Sequence, residues 1–215
     1  MKNISFDVIH DLKLSPNQSF DWKNKATSLY CIVAGNISHD IKTIVQTLLH
    51  LGNQYIGVFY IPSVLEFQNM PDIEERKLQL RKLINIMPTV RILDNLIPVI
   101  DGQVAIIGIN GWNEEIQYAK HRKYDVEYLN NSLNKLKKQI DIRKIIVVSG
   151  AIPSIQFDSQ LTDSLNKALI TDTERKIEKW VFGSDKAFMQ TIDNIDYITN
   201  SPSNNTTYFP LQINI

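Results

Sequence analysis

Short, continuously apolar runs rich in β-branched residues recur along this chain, and segments with the apolar spacing of amphipathic helices separate them. The runs lie at residues 4–9, 28–34, 55–61, 103–109, 144–149 and 179–183. Runs of this length that are apolar on both faces are typical of buried central strands. Their alternation with helical segments predicts an α/β fold in which helices cover a sheet. Nothing in the composition divides residues 1–215, so we expect a single domain.

Three segments, residues 39–51, 72–86 and 124–140, are predicted to be helices. In the first segment one helical stripe is apolar, and its members are Ile41, Ile44, Val45, Leu48 and Leu49. Ser38 precedes this stripe and is predicted to cap the helix. In residues 195–215 two strand-like runs flank a polar stretch, which predicts a C-terminal hairpin at a sheet edge.

The charges of the chain balance, with 23 basic and 23 acidic side chains. A protein without net charge has no general attraction for nucleic acid or anionic membranes, so we expect neither as a partner. No stretch approaches the ~18 apolar residues that span a bilayer, and the N-terminus lacks the apolar core of a signal peptide. We therefore expect a cytoplasmic protein. Abundant Asn, Ile and Lys indicate an AT-rich genome, such as that of a phage, whose products occupy the host cytoplasm or the virion.

The segments that follow the predicted strands carry short motifs in a fixed order. They are His10-Asp11-Leu12-Lys13-Leu14, Ala34-Gly35-Asn36-Ile37, Ile61-Pro62-Ser63-Val64-Leu65-Glu66-Phe67, Val147-Val148-Ser149-Gly150 and Val181-Phe182-Gly183-Ser184-Asp185-Lys186. This order resembles the metal-binding junctions of the calcineurin-like metallophosphoesterases, which read D-x-H, G-D, G-N-H-E, a lone H and G-H-x-H. The tail, from Asn200-Ser201-Pro202 to Phe209-Pro210, is similar to the terminal hairpin of that family. The resemblance implies a β-sandwich of mixed strands flanked by helices.

Hydrolysis by this family requires two metal ions that share a bridging carboxylate and activate a hydroxide. By the resemblance, Asp11 keeps the first ligand position, and Glu66 matches a residue beside the motif that is not ordinarily a ligand. The other matched positions carry residues that differ from the family pattern: Lys13, Asn36, Val64, Leu65, Gly150, Ser184 and Lys186. A protonated lysine has no lone pair for a metal and repels one. The sequence therefore predicts no metal, no cofactor and no hydrolysis of the ancestral kind.

The two lysines suggest what replaced the ions. We expect Lys13 and Lys186 to point into the former centre and to pair with Asp11, Glu66 or Asp185. If such a pair is buried, loss of Lys13 should lower stability by roughly 3–5 kcal/mol. The function predicted on this basis is that of a pseudoenzyme, which serves as a scaffold or structural component through protein partners or its own oligomer.

Other functions remain open at the level of sequence. Lys13 and Lys186 are candidates for binding phosphate or a nucleotide in the former centre. A weak or altered phosphoesterase is a further alternative. A single metal held by His10, Asp11 and His39 is conceivable, although strand alternation would send His10 and Asp11 to opposite faces.

Overall fold

The structure is a computed structural model, and it describes residues 4–112, 116–151, 171–184, 188–200 and 211–215. The strands, in chain order, are β1 (Ser5–Ile9), β2 (Tyr30–Val33), β3 (Gly57–Tyr60), β4 (Val90–Ile92), β5 (Val99–Ile100), β6 (Val104–Ile109), β7 (Lys144–Ser149), β8 (Ile177–Phe182), β9 (Phe188–Ile192), β10 (Ile195–Thr199) and β11 (Leu211–Asn214). The helices are α1 (Ile41–Gly52), α2 (Ile73–Ile84) and α3 (Ala119–Leu136). No described helix is long and apolar enough to cross a membrane.

These strands form two sheets. The five-stranded sheet has the order β11-β1-β2-β3-β4, in which β1 to β4 are parallel and β11 is antiparallel to β1. The six-stranded sheet has the order β5-β6-β7-β8-β10-β9. Its strands β6, β7, β8 and β10 are parallel, and β5 and β9 are antiparallel to their neighbours at the two edges.

Three apolar clusters hold these layers together. One lies between the two sheets and includes Phe6, Ile106 and Val148. A second packs α1 and α2 onto the outer face of the five-stranded sheet, and a third packs α3 onto the six-stranded sheet. Because both faces of the central strands are covered, β6 is buried along its whole length. The result is a sandwich of mixed strands flanked by helices.

The predicted α/β fold is confirmed, since the six apolar runs correspond to β1, β2, β3, β6, β7 and β8. The cap predicted for the first helix was wrong by two residues. Asp40 caps α1, with its carboxylate accepting from the Thr43 N–H at 2.9 Å, whereas the Ser38 hydroxyl donates to the Leu14 carbonyl. Leu49 is exposed, because the buried stripe of α1 runs through Ile44, Leu48 and Leu51 instead.

The predicted C-terminal hairpin is wrong in its pairing, although both strands exist. β10 lies in the six-stranded sheet and β11 pairs with β1 in the other sheet. The tight hairpin precedes β10, because Asp193 and Asn194 form a two-residue turn between β9 and β10. Both turn residues have positive φ, 51° and 67°, as such turns require. The predicted motif at 201–210 lies outside the described residues.

Candidate functional site

The loops that follow the parallel strands meet at one end of the sandwich. Carboxyl ends of parallel strands lie at the same edge of a sheet, and here contacts join the edges of both sheets. The Ser63 hydroxyl, after β3, donates to the Gly150 carbonyl, after β7, at 3.0 Å. The Asn110 amide, after β6, donates to the Pro62 carbonyl at 2.8 Å. This end holds the described site residues predicted from the sequence.

Asp11 lies at the centre of the first group of contacts. Its side chain is only 4% exposed, and Lys13 Nζ lies 2.9 Å from its Oδ2. The Asn36 side-chain amide donates to Asp11 Oδ1, also at 2.9 Å. The ion pair between Lys13 and Asp11 is therefore present, but the Lys13 side chain is 55% exposed. The burial on which the 3–5 kcal/mol expectation depended holds for the Asp11 carboxylate and not for the Lys13 side chain.

The backbone of these two loops adopts an uncommon conformation. Asp11, Lys13 and Asn36 have φ values of 58°, 45° and 54°, in the left-handed region that disfavours residues with a Cβ. Backbone bonds fix the loops to each other, from Asp11 N–H to the Gly35 carbonyl at 3.2 Å and from Lys13 N–H to the Asn36 carbonyl at 2.9 Å. Strain of this kind persists only where surrounding contacts determine the conformation.

Glu66 supplies further contacts, to the loops after β2 and β3. Its buried carboxylate accepts from the backbone N–H groups of Asn36 at 3.1 Å, Ile37 at 2.7 Å and Ser63 at 2.9 Å. Burial raises the pKa of Glu66 to about 7, against the lowering effect of these N–H donors. Val64 and Leu65 lie beside it in a short 3-10 helix. Glu66 thus ties the loop after β2 to the loop after β3, and its described partners are amides rather than a lysine.

Sequence reasoning did not single out two residues that support Glu66. Ser63 and Glu66 form a capping box, in which each side chain meets the backbone of the other. The S-x-x-E spacing in the sequence is the signal that would have found it. Arg76, on α2, donates to the Glu66 carbonyl at 3.1 Å and to the His39 carbonyl at 2.6 Å. No sequence motif marks Arg76 for this role.

Gly150 closes the centre of the site. A Cβ at this position would lie 2.3 Å from the Asn110 carbonyl oxygen and 2.4 Å from the Ser63 Oγ. Gly183, after β8, is equally tight, since its Cβ would lie 2.5 Å from the Gly150 carbonyl oxygen. The backbone therefore occupies the space that a histidine at 150 would need. Ser184 is half-buried at the rim, while Asp185 and Lys186 lie outside the described residues.

The donor set does not fit a metal centre. Within the described ranges, no three His, Cys, Asp or Glu side chains are placed to hold one ion. Two of the groups that bind the Asp11 carboxylate are an ammonium and an amide N–H, both of which are donors. The alternative site of His10, Asp11 and His39 is not formed either. His10 Nε2 lies 2.5 Å from the Thr199 hydroxyl and accepts from the Asn200 N–H, so the ring binds β10.

Comparison with solved structures shows what this chain is similar to. Phosphopantetheinyl hydrolase from Mycobacterium tuberculosis superposes with a TM-score of 0.68 at 14% identity, over 98% of this chain and 96% of its own. TT1561 of Thermus thermophilus gives 0.66 at 11% identity, over 93% and 90%. GAP50 of Plasmodium gives 0.57 at 12% identity, over 92% and 71%.

No family model and no curated protein matches the sequence. Identities of this size establish the fold alone. The neighbours have metallophosphoesterase-like folds, and so does this chain.

Proposed function

We propose that this chain keeps the metallophosphoesterase-like fold but has lost two-metal hydrolysis, and that it acts as a scaffold or interaction component. The observation that carries the proposal is the set of contacts at Asp11. Both oxygens of its carboxylate accept from protein donors, Lys13 Nζ and Asn36 Nδ2, each at 2.9 Å.

The chemistry of hydrolysis explains why these contacts matter. Two cations must be held about 3.5–4 Å apart and must share an anionic bridge, so that a hydroxide forms near neutral pH. Asn36, at the bridging position by resemblance, is neutral, and its amide presents N–H groups to Asp11. Lys13 adds a positive charge where a second cation would be required. An ion would have to displace both donors and overcome this charge.

The scaffold role has separate support. Hydrogen bonds among Glu66, Ser63, Asn36 and Arg76 tie the loops of the site together through protein groups, as a scaffold requires. One structural neighbour, GAP50, is described as the anchor in the inner membrane complex of Plasmodium. We extend a role as an anchor within an assembly to this chain, as a component of a larger assembly, of which a phage particle is one instance.

A test of hydrolysis separates this proposal from a weak or altered phosphoesterase. The purified chain is incubated with a chromogenic phosphodiester and added Mn²⁺, beside its Asp11→Ala variant and, as a matched surface control, Asp141→Ala. We expect all three to match the buffer blank. Mn²⁺-dependent turnover in the wild type and the control that disappears in Asp11→Ala would show that the centre still works, and the proposal would be wrong.

A phosphate- or nucleotide-binding module is the second candidate, and the exposure of Lys13 favours it. More than half of this side chain is accessible, so an anion can approach the ammonium without opening the core. Titration calorimetry with inorganic phosphate and with nucleotides tests it, using Lys13→Gln as the comparison. Heat in the wild type that Lys13→Gln abolishes would favour the binding module over the scaffold, and no heat at millimolar ligand removes it.

A further inference from the structure

The described sheet edges differ in how well they are protected against pairing with another strand. An open edge presents unpaired N–H and C=O groups, and proteins usually shorten or charge such strands. β5 has two residues, and β4 has three. Arg91 of β4 also folds back, and its guanidinium donates to the carbonyls of Pro88 and Val90 at 2.8 and 3.0 Å. β9 has neither protection, since its five residues, FMQTI, include no charge and no proline.

The hairpin geometry shows which backbone groups of β9 are open. The two-residue turn at 193–194 makes Ile192 and Ile195 a hydrogen-bonded pair. Hydrogen-bonded and non-hydrogen-bonded pairs alternate along an antiparallel ladder, so Gln190 is again bonded to β10, while Met189 and Thr191 are not. The N–H and C=O groups of Met189 and Thr191 therefore point away from β10, toward the side of β9 on which no described strand lies.

The side chain of Met189 is exposed on the same strand. Its register partner, Ile198, is fully buried in the cluster between the two sheets, whereas Met189 itself is 63% exposed. β9 thus extends beyond the cover that the five-stranded sheet gives to β10. An apolar side chain and four open backbone groups lie together at this edge.

We propose that β9 is a homodimer interface, in which a second copy of the chain pairs antiparallel with β9 about a two-fold axis at Gln190. In this register Met189 lies opposite Thr191 of the second copy, and Thr191 lies opposite Met189 of the second copy. Each of these two pairs exchanges two hydrogen bonds, so all four open groups of each strand are satisfied. The two six-stranded sheets become one continuous sheet.

Three features favour a second copy over a different partner. The strand carries no charge and the chain carries no net charge, so two copies do not repel each other. The Gln190 carboxamides face each other across the axis, and an amide is both donor and acceptor. The register satisfies the edge without any change in β10. A five-residue strand pair is small beside the ~800 Å² per partner of a standard interface, so we expect micromolar or weaker association. The pairing does not depend on the loss of hydrolysis.

Cysteine cross-linking tests the register. In the proposed pair the two Gln190 Cα atoms lie about 4.5 Å apart, within the range that a disulfide spans. The Thr191 Cα atoms are offset by two residues along the strands, about 8 Å apart, which is too far. Cys31 is fully buried, so it should not cross-link under the same conditions. Mild oxidation should cross-link Gln190→Cys into dimers and leave Thr191→Cys monomeric. Equal cross-linking of both, or none in Gln190→Cys, would overturn the proposal.

Sedimentation equilibrium tests the association without a covalent bond. Thr191→Pro removes an outward N–H and spares the ladder to β10, so it should weaken the dimer at least tenfold. Thr191→Val is the matched control, because it loses only the hydroxyl bond to Asp196 and should associate like the wild type. Circular dichroism confirms that both variants are folded. A wild type that stays monomeric up to hundreds of micromolar, or a proline variant that associates equally, contradicts the interface.

Discussion

Gly150→Ala tests whether the protein itself fills the space between the loops that follow β3, β6 and β7. The new Cβ would lie 2.3 Å from the Asn110 carbonyl oxygen and 2.4 Å from Ser63 Cβ and Oγ. Contacts to backbone atoms cannot be relieved by rotating a side chain, so β6 or β7 must shift. Overpacking of this kind costs about 1–3 kcal/mol, and losing the Ser63 bond to the Gly150 carbonyl adds about 1 kcal/mol.

The smaller entropy of the unfolded alanine chain offsets about 0.4–1 kcal/mol of this cost. The net loss of unfolding free energy is therefore about 1–3.5 kcal/mol, and each kcal/mol lowers the Tm of a chain of this size by roughly 2–4 °C. Urea denaturation at 25 °C and thermal melts followed by circular dichroism measure both quantities.

Gly102→Ala is the matched control for the prediction at Gly150. Gly102 has a φ of +70° and no atom within 4 Å of an added Cβ, so its substitution reports backbone strain alone, about 1–2 kcal/mol before the same entropic offset. Adding Ser63→Gly to Gly150→Ala should recover part of the loss, because one of the two clashing groups is removed. If Gly150→Ala is no more destabilising than Gly102→Ala, the centre has room for a side chain and the steric argument is refuted.

Two further predictions concern a buried carboxylate and an ion pair whose lysine is exposed. Burial raises the pKa of Asp125 from 3.8 to about 7, so the folded state holds this proton more tightly than the unfolded chain does. The resulting stability is present below pH 4. It is lost as pH rises toward 7, by up to about 4 kcal/mol. Asp125→Asn keeps an acceptor for the Gly111 N–H. Between pH 4 and pH 7.5, urea denaturation should show the free energy of unfolding of this variant rising by about 2–4 kcal/mol relative to that of the wild type. A difference that does not change with pH contradicts this. Lys13→Ala should lower the free energy of unfolding by about 1 kcal/mol, since solvent reaches half of the pair with Asp11, and a loss of 3 kcal/mol or more would show a buried pair.

The central strands could be predicted because their physics is local. Burial on both faces selects continuous β-branched runs, and such a run stays visible in a single sequence. β9 could not be predicted in this way, because two of its five residues, Gln190 and Thr191, are polar. Its strand conformation depends on pairing with β10. The partner of β11 could not be predicted either, since a strand pattern does not state which edge it joins. The cap of α1 was missed because Ser38 and Asp40 are both residue types that cap helices well. The Ser38 hydroxyl donates to the Leu14 carbonyl instead.

The candidate site, too, could be predicted from the sequence only in part. The identity of residues at matched positions, such as Lys13 and Asn36, followed from the order of the motifs. The closure of the centre did not, because the Ser63 hydroxyl and the Gly150 carbonyl are 87 residues apart in sequence. Gly150 was interpreted as a lost histidine, whereas the structure gives it a role of its own. It is the residue without a Cβ that lets the loops after β3, β6 and β7 touch.

The same contacts explain how the loops keep a strained backbone. In a two-metal centre, bonds from each loop to the cations hold the loops in place. Here the Glu66 carboxylate draws three amides from two loops onto one side chain, and Asp11 draws Lys13 and Asn36 together. Charge-assisted hydrogen bonds are roughly twice as strong as neutral ones, so these two carboxylates, when ionised, offset part of a cost of about 1–3 kcal/mol for each residue held at positive φ. The two carboxylates bind protein donors, and the arrangement is stable only while those donors remain.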